Sequence, residues 1–403
     1  MKKIAVLSLL LIFLSSFAFA GTVKLPRTGQ TKCWDTDGYE IPCAGTGQDG
    51  EIQVGVVWPE PRFTDNGDDT IIDNLTGLMW TKDAYLPGTT MNWYQALDFC
   101  NNLNLGGYSD WRLPNVNELE SLVNADESSN ATWLNKQGFI NVVCDNQFYL
   151  GYWSSTTSAC YADSALAVNM CDGLVDSVDA YKFDDLICFV WPVRAGQDDA
   201  YPSPIWKTGQ TVSYYEKDDG ELRRGIAWPT PRFTDPLDGT VTDNLTGLMW
   251  AKNANLPGEN KTWQQALDYV KVMNAGAFPN LGYTDWRLPN RKEYYSLTDF
   301  SQCDPALPEG HPFTNVQGDY CSSTTIDSHA DSVYIGAICT GEVGWDYKDT
   351  LGNRYVWPVR GGQTGPLGCS TWTDVITKYN AYVNGQASWN DVITCYQEYA
   401  SSE

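Results

Sequence analysis

The spacing of apolar positions along the 403-residue chain changes several times, and each change predicts an element. Arg62-Phe63-Thr64, a polar DNGDD and Thr70-Ile71-Ile72 read as strand, tight turn and strand; Leu78-Met79-Trp80 continues after the Thr76-Gly77 turn. Trp93, Ala96, Leu97, Cys100 and Leu103 then recur at helical spacing, opened by Asn92 with Gln95 in a capping-box arrangement. A second helix starts at Asn115, with Glu118 reaching back and Leu119, Leu122 and Val123 as its apolar face. A long stretch from Ala125 to Leu150 follows, and then short strands over Tyr152 to Thr156, Ala165 to Met170, Val175 to Lys182 and Ile187 to Val193. Hairpin, two helices, long loop and strands predict an α+β unit with its helices segregated against antiparallel sheet.

The same series occurs twice. RFTD at Arg62 returns at Arg232, DNLTGLMW at Asp73 returns at Asp243, and DWRLPN at Asp110 returns at Asp285. SSTT at Ser154 returns at Ser322, and WPVR at Trp191 returns at Trp357, all in the same order. Each copy has its own lead-in, because TGQT at Thr28 recurs at Thr208 and DGE at Asp49 recurs at Asp219. The expected organisation is a leader over 1–20, one unit over 21–200, a second over 201–363 and a tail over 364–403. Within the tail, WTDVITKY at Trp372 returns as WNDVITCY at Trp389, which predicts a small helical hairpin closed by Cys369 and Cys395.

Composition narrows the function. Lys2 and Lys3, an apolar run and Ala18-Phe19-Ala20 read as a secretory signal peptide, so the expected location is secreted, periplasmic or cell-surface. No later apolar run is long enough to span a bilayer. A formal charge of −24 leaves no electrostatic footprint for nucleic acid. Twelve cysteines suit an oxidising compartment. Cys33 and Cys43 flank a turn-rich segment as a local staple. Of the rest, Cys100, Cys144, Cys160, Cys171 and Cys188 lie in the first copy and Cys303, Cys321 and Cys339 in the second. Two odd groups pair fully only through a bridge between the copies, or else each leaves one thiol free.

Asp65, Asp68, Asp69 and Asp73, echoed by Asp235, Asp238 and Asp243, offer oxygen ligands for calcium, the one cofactor the sequence admits. The same composition is also what a hairpin turn demands, and both readings stay open. Seventeen tryptophans invite sugar stacking, but Trp58, Trp80, Trp93, Trp111 and Trp191 all recur in the second copy among apolar neighbours, which is core behaviour. Copy-specific aromatics are the better ligand candidates: Trp133, Tyr149, Tyr161 and Tyr181 in the first copy, Tyr334, Trp345 and Tyr347 in the second. Arg112 and its twin Arg287 are expected to partner buried carboxylates. The only histidines, His311 and His329, both lie in the second copy, so neither a shared Ser–His–Asp triad nor a shared His–Cys zinc site exists.

FTD…DNLTGLMW, the W…AL helix, GYSDWRLPN with its EL helix, YWSSTT and WPVR together resemble the Lcl C-terminal domain family of exported bacterial proteins, over roughly 50–197 and 220–363. That resemblance implies a C-type-lectin-like fold, with an RLPN segment similar to that of the formylglycine-generating enzyme group. It also implies an envelope location and the adhesion and glycan binding described for the collagen-like adhesin behind the family name. Sulfated polysaccharides, associated with that adhesin, suit this acidic chain poorly, because only scattered pairs such as Arg223-Arg224 are basic. The expectation is therefore two tandem C-type-lectin-like domains in a secreted, non-enzymatic binding protein that recognises a glycan or surface partner through variable loops. The alternatives are a structural envelope or matrix protein and, behind it, an oxidase or hydrolase.

Overall fold

The computed structural model describes residues 22–145, 151–176, 181–183, 188–195, 201–277, 279–350 and 354–361, with Ile376 and Tyr379 in the tail. The expected leader and the Cys369–Cys395 closure lie outside the described residues. The first lead-in contributes β1 (Cys33–Trp34), β2 (Glu40–Ile41) and α1 (Asp49–Ile52). The first body follows with β3 (Phe63–Asp65), β4 (Thr70–Asp73), β5 (Leu78–Thr81), α2 (Trp93–Asn101), α3 (Val116–Glu120), α4 (Asn130–Lys136), β6 (Tyr152–Thr157), β7 (Ala165–Val168), β8 (Val175–Asp176) and β9 (Val193–Ala195). In the second copy the lead-in holds α5 (Asp219–Leu222). Its body has β10 (Phe233–Thr234), β11 (Thr240–Asp243), β12 (Met249–Ala251), α6 (Trp263–Asn274), α7 (Arg291–Leu297), β13 (Asp319–Thr325), β14 (Ser332–Ala337), β15 (Glu342–Tyr347), β16 (Arg354–Tyr355) and β17 (Val359–Arg360).

Local chemistry explains most of these boundaries. Asn92, Asn115, Thr262 and Asn290 each close a full capping box with the Gln or Glu three residues on, which satisfies amide groups that a short helix leaves free. In each body the first hairpin is joined by the chain's return: β5 pairs β9, and β12 pairs β17. That return places Trp191 against Trp80 and Trp357 against Trp250, with ring centroids 5.3 Å apart in both copies. All four indoles are fully buried, so the repeated tryptophans build the core, as their recurrence implied.

The fold class differs from expectation. The described chain is predominantly β: two four-stranded sheets, a two-stranded ribbon and one seven-stranded sheet, with short helices between them. This is not the helix-plus-short-strand layout of a C-type lectin. Two physical causes account for the error. The second helix of the first copy, read as extending through Val123, stops after five residues. The late strands, read as short antiparallel strands within each copy, join across the copies in the order β16-β13-β14-β15-β8-β7-β6.

The junction has approximate two-fold symmetry. β15 pairs antiparallel with β8 through Val343 and Val175, which are counterparts in the two copies. Beside it, Glu120 of α3 meets Lys292 Nζ at 3.1 Å and Arg291 Nη2 at 3.4 Å, all three groups buried. Cys160–Cys303 links the copies covalently, although the two groups do not pair fully. Cys33–Cys43 and Cys144–Cys171 are local. Among the described residues Cys100, Cys188 and Cys321 are buried free thiols and Cys339 is a partly buried one.

The lead-ins are exchanged. Asp49, from the first lead-in, accepts hydrogen bonds from Thr28 Oγ1 (2.7 Å) and from Thr324 Oγ1 of the second body (2.8 Å). Asp219, from the second lead-in, accepts from Thr208 Oγ1 (2.7 Å) and from Thr156 Oγ1 of the first body (2.8 Å). Gln30 and Gln210 extend the pattern: the amide of Thr325 donates to one and that of Thr157 to the other, both at 3.0 Å. Each threonine of the relay also accepts from a helix N-terminal amide, Val116 to Thr156 and Arg291 to Thr324. TGQT and DGE therefore bond each other within a lead-in, and both meet SSTT across the seam.

Candidate functional site

The acidic clusters come first because their composition admitted two readings. Asp73 accepts from the Arg62 guanidinium, the Leu75 amide and the Thr76 hydroxyl; Asp243 repeats this with Arg232, Leu245 and Thr246. Asp68 and Asp238 bond the amide and hydroxyl of Thr70 and Thr240. Asp65 and Asp235 each hold a lysine at 2.6 Å, Lys82 and Lys252, and the exposed Asp69 turns the hairpin with φ of 65°. These contacts are turn and ion-pair chemistry, and no group of three or more metal-ligating side chains forms among the described residues. Arg112 and Arg287 each grip a carboxylate, Glu118 and Glu293, through both terminal nitrogens.

The aromatic candidates separate by exposure. Trp133 is buried on α4, with its ring 5.7 Å from Trp58 and 5.9 Å from Phe63. Tyr334 is buried too; its hydroxyl donates to the Asp172 carbonyl, and Arg291 lies 4.1 Å over its ring. Tyr149 lies outside the described residues. Tyr161 and Tyr181 are exposed in the first body. Trp345 and Tyr347 are 47% and 48% exposed on β15, and their rings meet edge to face at 5.3 Å. Among the seven candidates the structure joins these two in a ring contact. Strand period explains it, since residues two apart share a face. Asp346, between them on the opposite face, pairs with Arg354 at 3.2 Å.

One functional-looking feature was missed. Lys182 and Lys348 are counterparts and both are almost fully buried. Lys182 Nζ lies 4.4 Å over Trp93 and 4.3 Å over Tyr214, the latter from the exchanged lead-in. Lys348 Nζ lies 4.3 Å over Trp263 and donates to the Asp35 carbonyl of the other lead-in at 3.0 Å. Burial pulls the Lys182 ammonium down to about 8 and that of Lys348 to about 7. The repeated Tyr-Lys dipeptide, Tyr181-Lys182 and Tyr347-Lys348, was the available signal. Its meaning depends on a lead-in distant in sequence, which no local pattern reveals.

The class these features define is a tandem β-repeat whose two copies share an aromatic scaffold; no helix among the described residues is long and apolar enough to cross a bilayer. The model of the Lcl C-terminal domain matches residues 69–194 and again 239–360, and the chain belongs to that family in two copies. No curated protein matches the chain.

Proposed function

We propose that the chain is an exported, non-enzymatic binding protein that holds a neutral glycan on the exposed Trp345–Tyr347 face. The observation that carries this reading is the pairing of two half-exposed aromatic rings in a molecule whose repeated tryptophans are otherwise core. An exposed indole offers its face to the C–H surface of a sugar ring, while the neighbouring Tyr347 hydroxyl supplies a hydrogen bond. The formal charge of −24 disfavours polyanionic sugars over neutral ones. Three disulfides are consistent with export.

A glycan array probed with the full chain, with and without calcium, tests this. Saturable binding that Trp345→Ala and Tyr347→Ala each weaken by at least about tenfold, or roughly 1.4 kcal/mol, is the expected result. Binding that is absent, or indifferent to both substitutions, would leave the second reading, a structural envelope component. The continuous sheet and the covalent seam favour that second reading, because they build a rigid pair.

A further inference from the structure

The two copies differ at one place where an arginine is sandwiched between aromatic rings. In the first copy the Arg62 guanidinium carbon lies 4.3 Å from the Trp58 ring centroid, 4.9 Å from Phe63 and 5.6 Å from Trp133. In the second copy Arg232 keeps the first two partners, Trp228 at 4.7 Å and Phe233 at 5.2 Å. The third is absent. The chain stretch that carries Trp133 starts where Asn130 donates its amide to the Cys171 carbonyl and ends at Phe139, which packs on Phe63. The corresponding stretch starts where Asp304 donates to the Cys339 carbonyl and ends at Phe313, which packs on Phe233 at the same 5.1 Å. It forms no helix and carries Pro308-Glu309-Gly310-His311-Pro312 instead.

A cavity of about 300 Å³ results, lined by those five residues with Pro231, Arg232, Phe233 and Asp235. Phe63 is buried, whereas Phe233 is partly uncovered. Arg232, 8% exposed, presents a buried Nη1 with no hydrogen-bond partner among the described residues, and His311 Nδ1 is in the same condition. Arg62 Nη1 also lacks a hydrogen bond, and there the Trp133 ring lies against the guanidinium. A guanidinium in this setting is satisfied by an aromatic face.

We propose that this cavity is a socket for the indole of a tryptophan carried by a partner protein, which stacks on Arg232 as Trp133 stacks on Arg62. The first copy is the self-filled form of the same device, so the molecule itself displays the fitting occupant. Pro231, Glu309 and Gly310 keep the rim at the surface, where a side chain projecting from another chain reaches it. The acidic surface of this chain favours a partner with basic residues beside that tryptophan.

The test is titration of N-acetyl-5-fluorotryptophanamide into the full chain, followed by ¹⁹F NMR. The proposal expects saturable binding to one site. His311→Trp, which places an indole in the cavity wall, is expected to weaken it at least about tenfold with the melting temperature retained. Trp133→Ala is expected to open the matching socket and raise the stoichiometry from one to two. Trp345→Ala is expected to leave binding unchanged, which separates this site from the glycan face. No saturation in the wild type, or equal affinity in His311→Trp, overturns the proposal.

Discussion

Asp49 and Asp219 are single residues that make the seam sensitive to pH in the acid range. Burial raises both carboxyls from 3.8 to about 6, against the opposing pull of two threonine hydroxyls each. With the folded value above the unfolded one, the folded chain binds the extra protons between these limits. These groups therefore favour the folded state most at low pH, and their contribution falls as pH rises from about 4 to about 6. Each accounts for up to about 3 kcal/mol over that window. Asp49→Asn with Asp219→Asn keeps an acceptor for the hydroxyls and removes the ionisation. Its melting temperature is expected to exceed wild type above pH 6.5 and to converge with it near pH 4, as followed by circular dichroism across buffers. Parallel curves would mean that neither carboxyl titrates in this range. A second single-residue prediction concerns Cys339, whose first-copy counterpart Cys171 is bridged to Cys144. The residue matching Cys144 is Gly318, and a Cβ built there falls 4.0 Å from that of Cys339, a normal spacing for a disulfide. Gly318→Cys is expected to form that bridge and to add about 2–4 kcal/mol, read as one titratable thiol fewer than wild type although a cysteine has been added, and as a melting temperature that drops on reduction.

At the scale of elements, what the sequence made legible was whatever is local. The hairpin of β3 and β4, the capping boxes at Asn92 and Asn115, the Cys33–Cys43 staple and the Arg112–Glu118 pair all depend on residues close together in the chain. The helix period was visible in Trp93, Ala96, Leu97 and Cys100, all buried on one face of α2. What stayed hidden was pairing at long range. Nothing in the sequence marks Glu120, yet it faces Lys292 and Arg291 across the seam; Trp133 read as a copy-specific ligand candidate, yet it closes over Arg62. For the candidate site, alternation marked Trp345 and Tyr347 as sharing a face, but only the completed sheet decided that this face is open at these two rings while it is covered at Tyr334, the direct partner of Trp345 on the adjacent strand. The α3–α7 contact gives an element-scale prediction. Glu120→Gln leaves two buried cations without their counter-charge and is expected to cost about 3–5 kcal/mol, measured by urea denaturation. A loss under about 1 kcal/mol would show that water reaches the trio.

Over the whole molecule, the exchange of lead-ins, the shared sheet and Cys160–Cys303 make two sequence copies one structural body. The seam has the geometry of a symmetric dimer whose subunits trade arms, with Val175 and Val343 at its centre. A dimer of identical chains is held to self-complementary contacts, because any residue introduced on one side appears on the other. Joining both halves in a single polypeptide lifts that restriction. Position 120 is Glu in one half where the other has Tyr295, and position 292 is Lys where the first has Asn117, so a charge pair can exist in one orientation without its mirror image. The same freedom lets one half stay sealed by its own tryptophan while the other is left to receive. Duplication here yields a molecule with a left hand and a right hand, and only in such a molecule can tasks be divided between two otherwise equal parts.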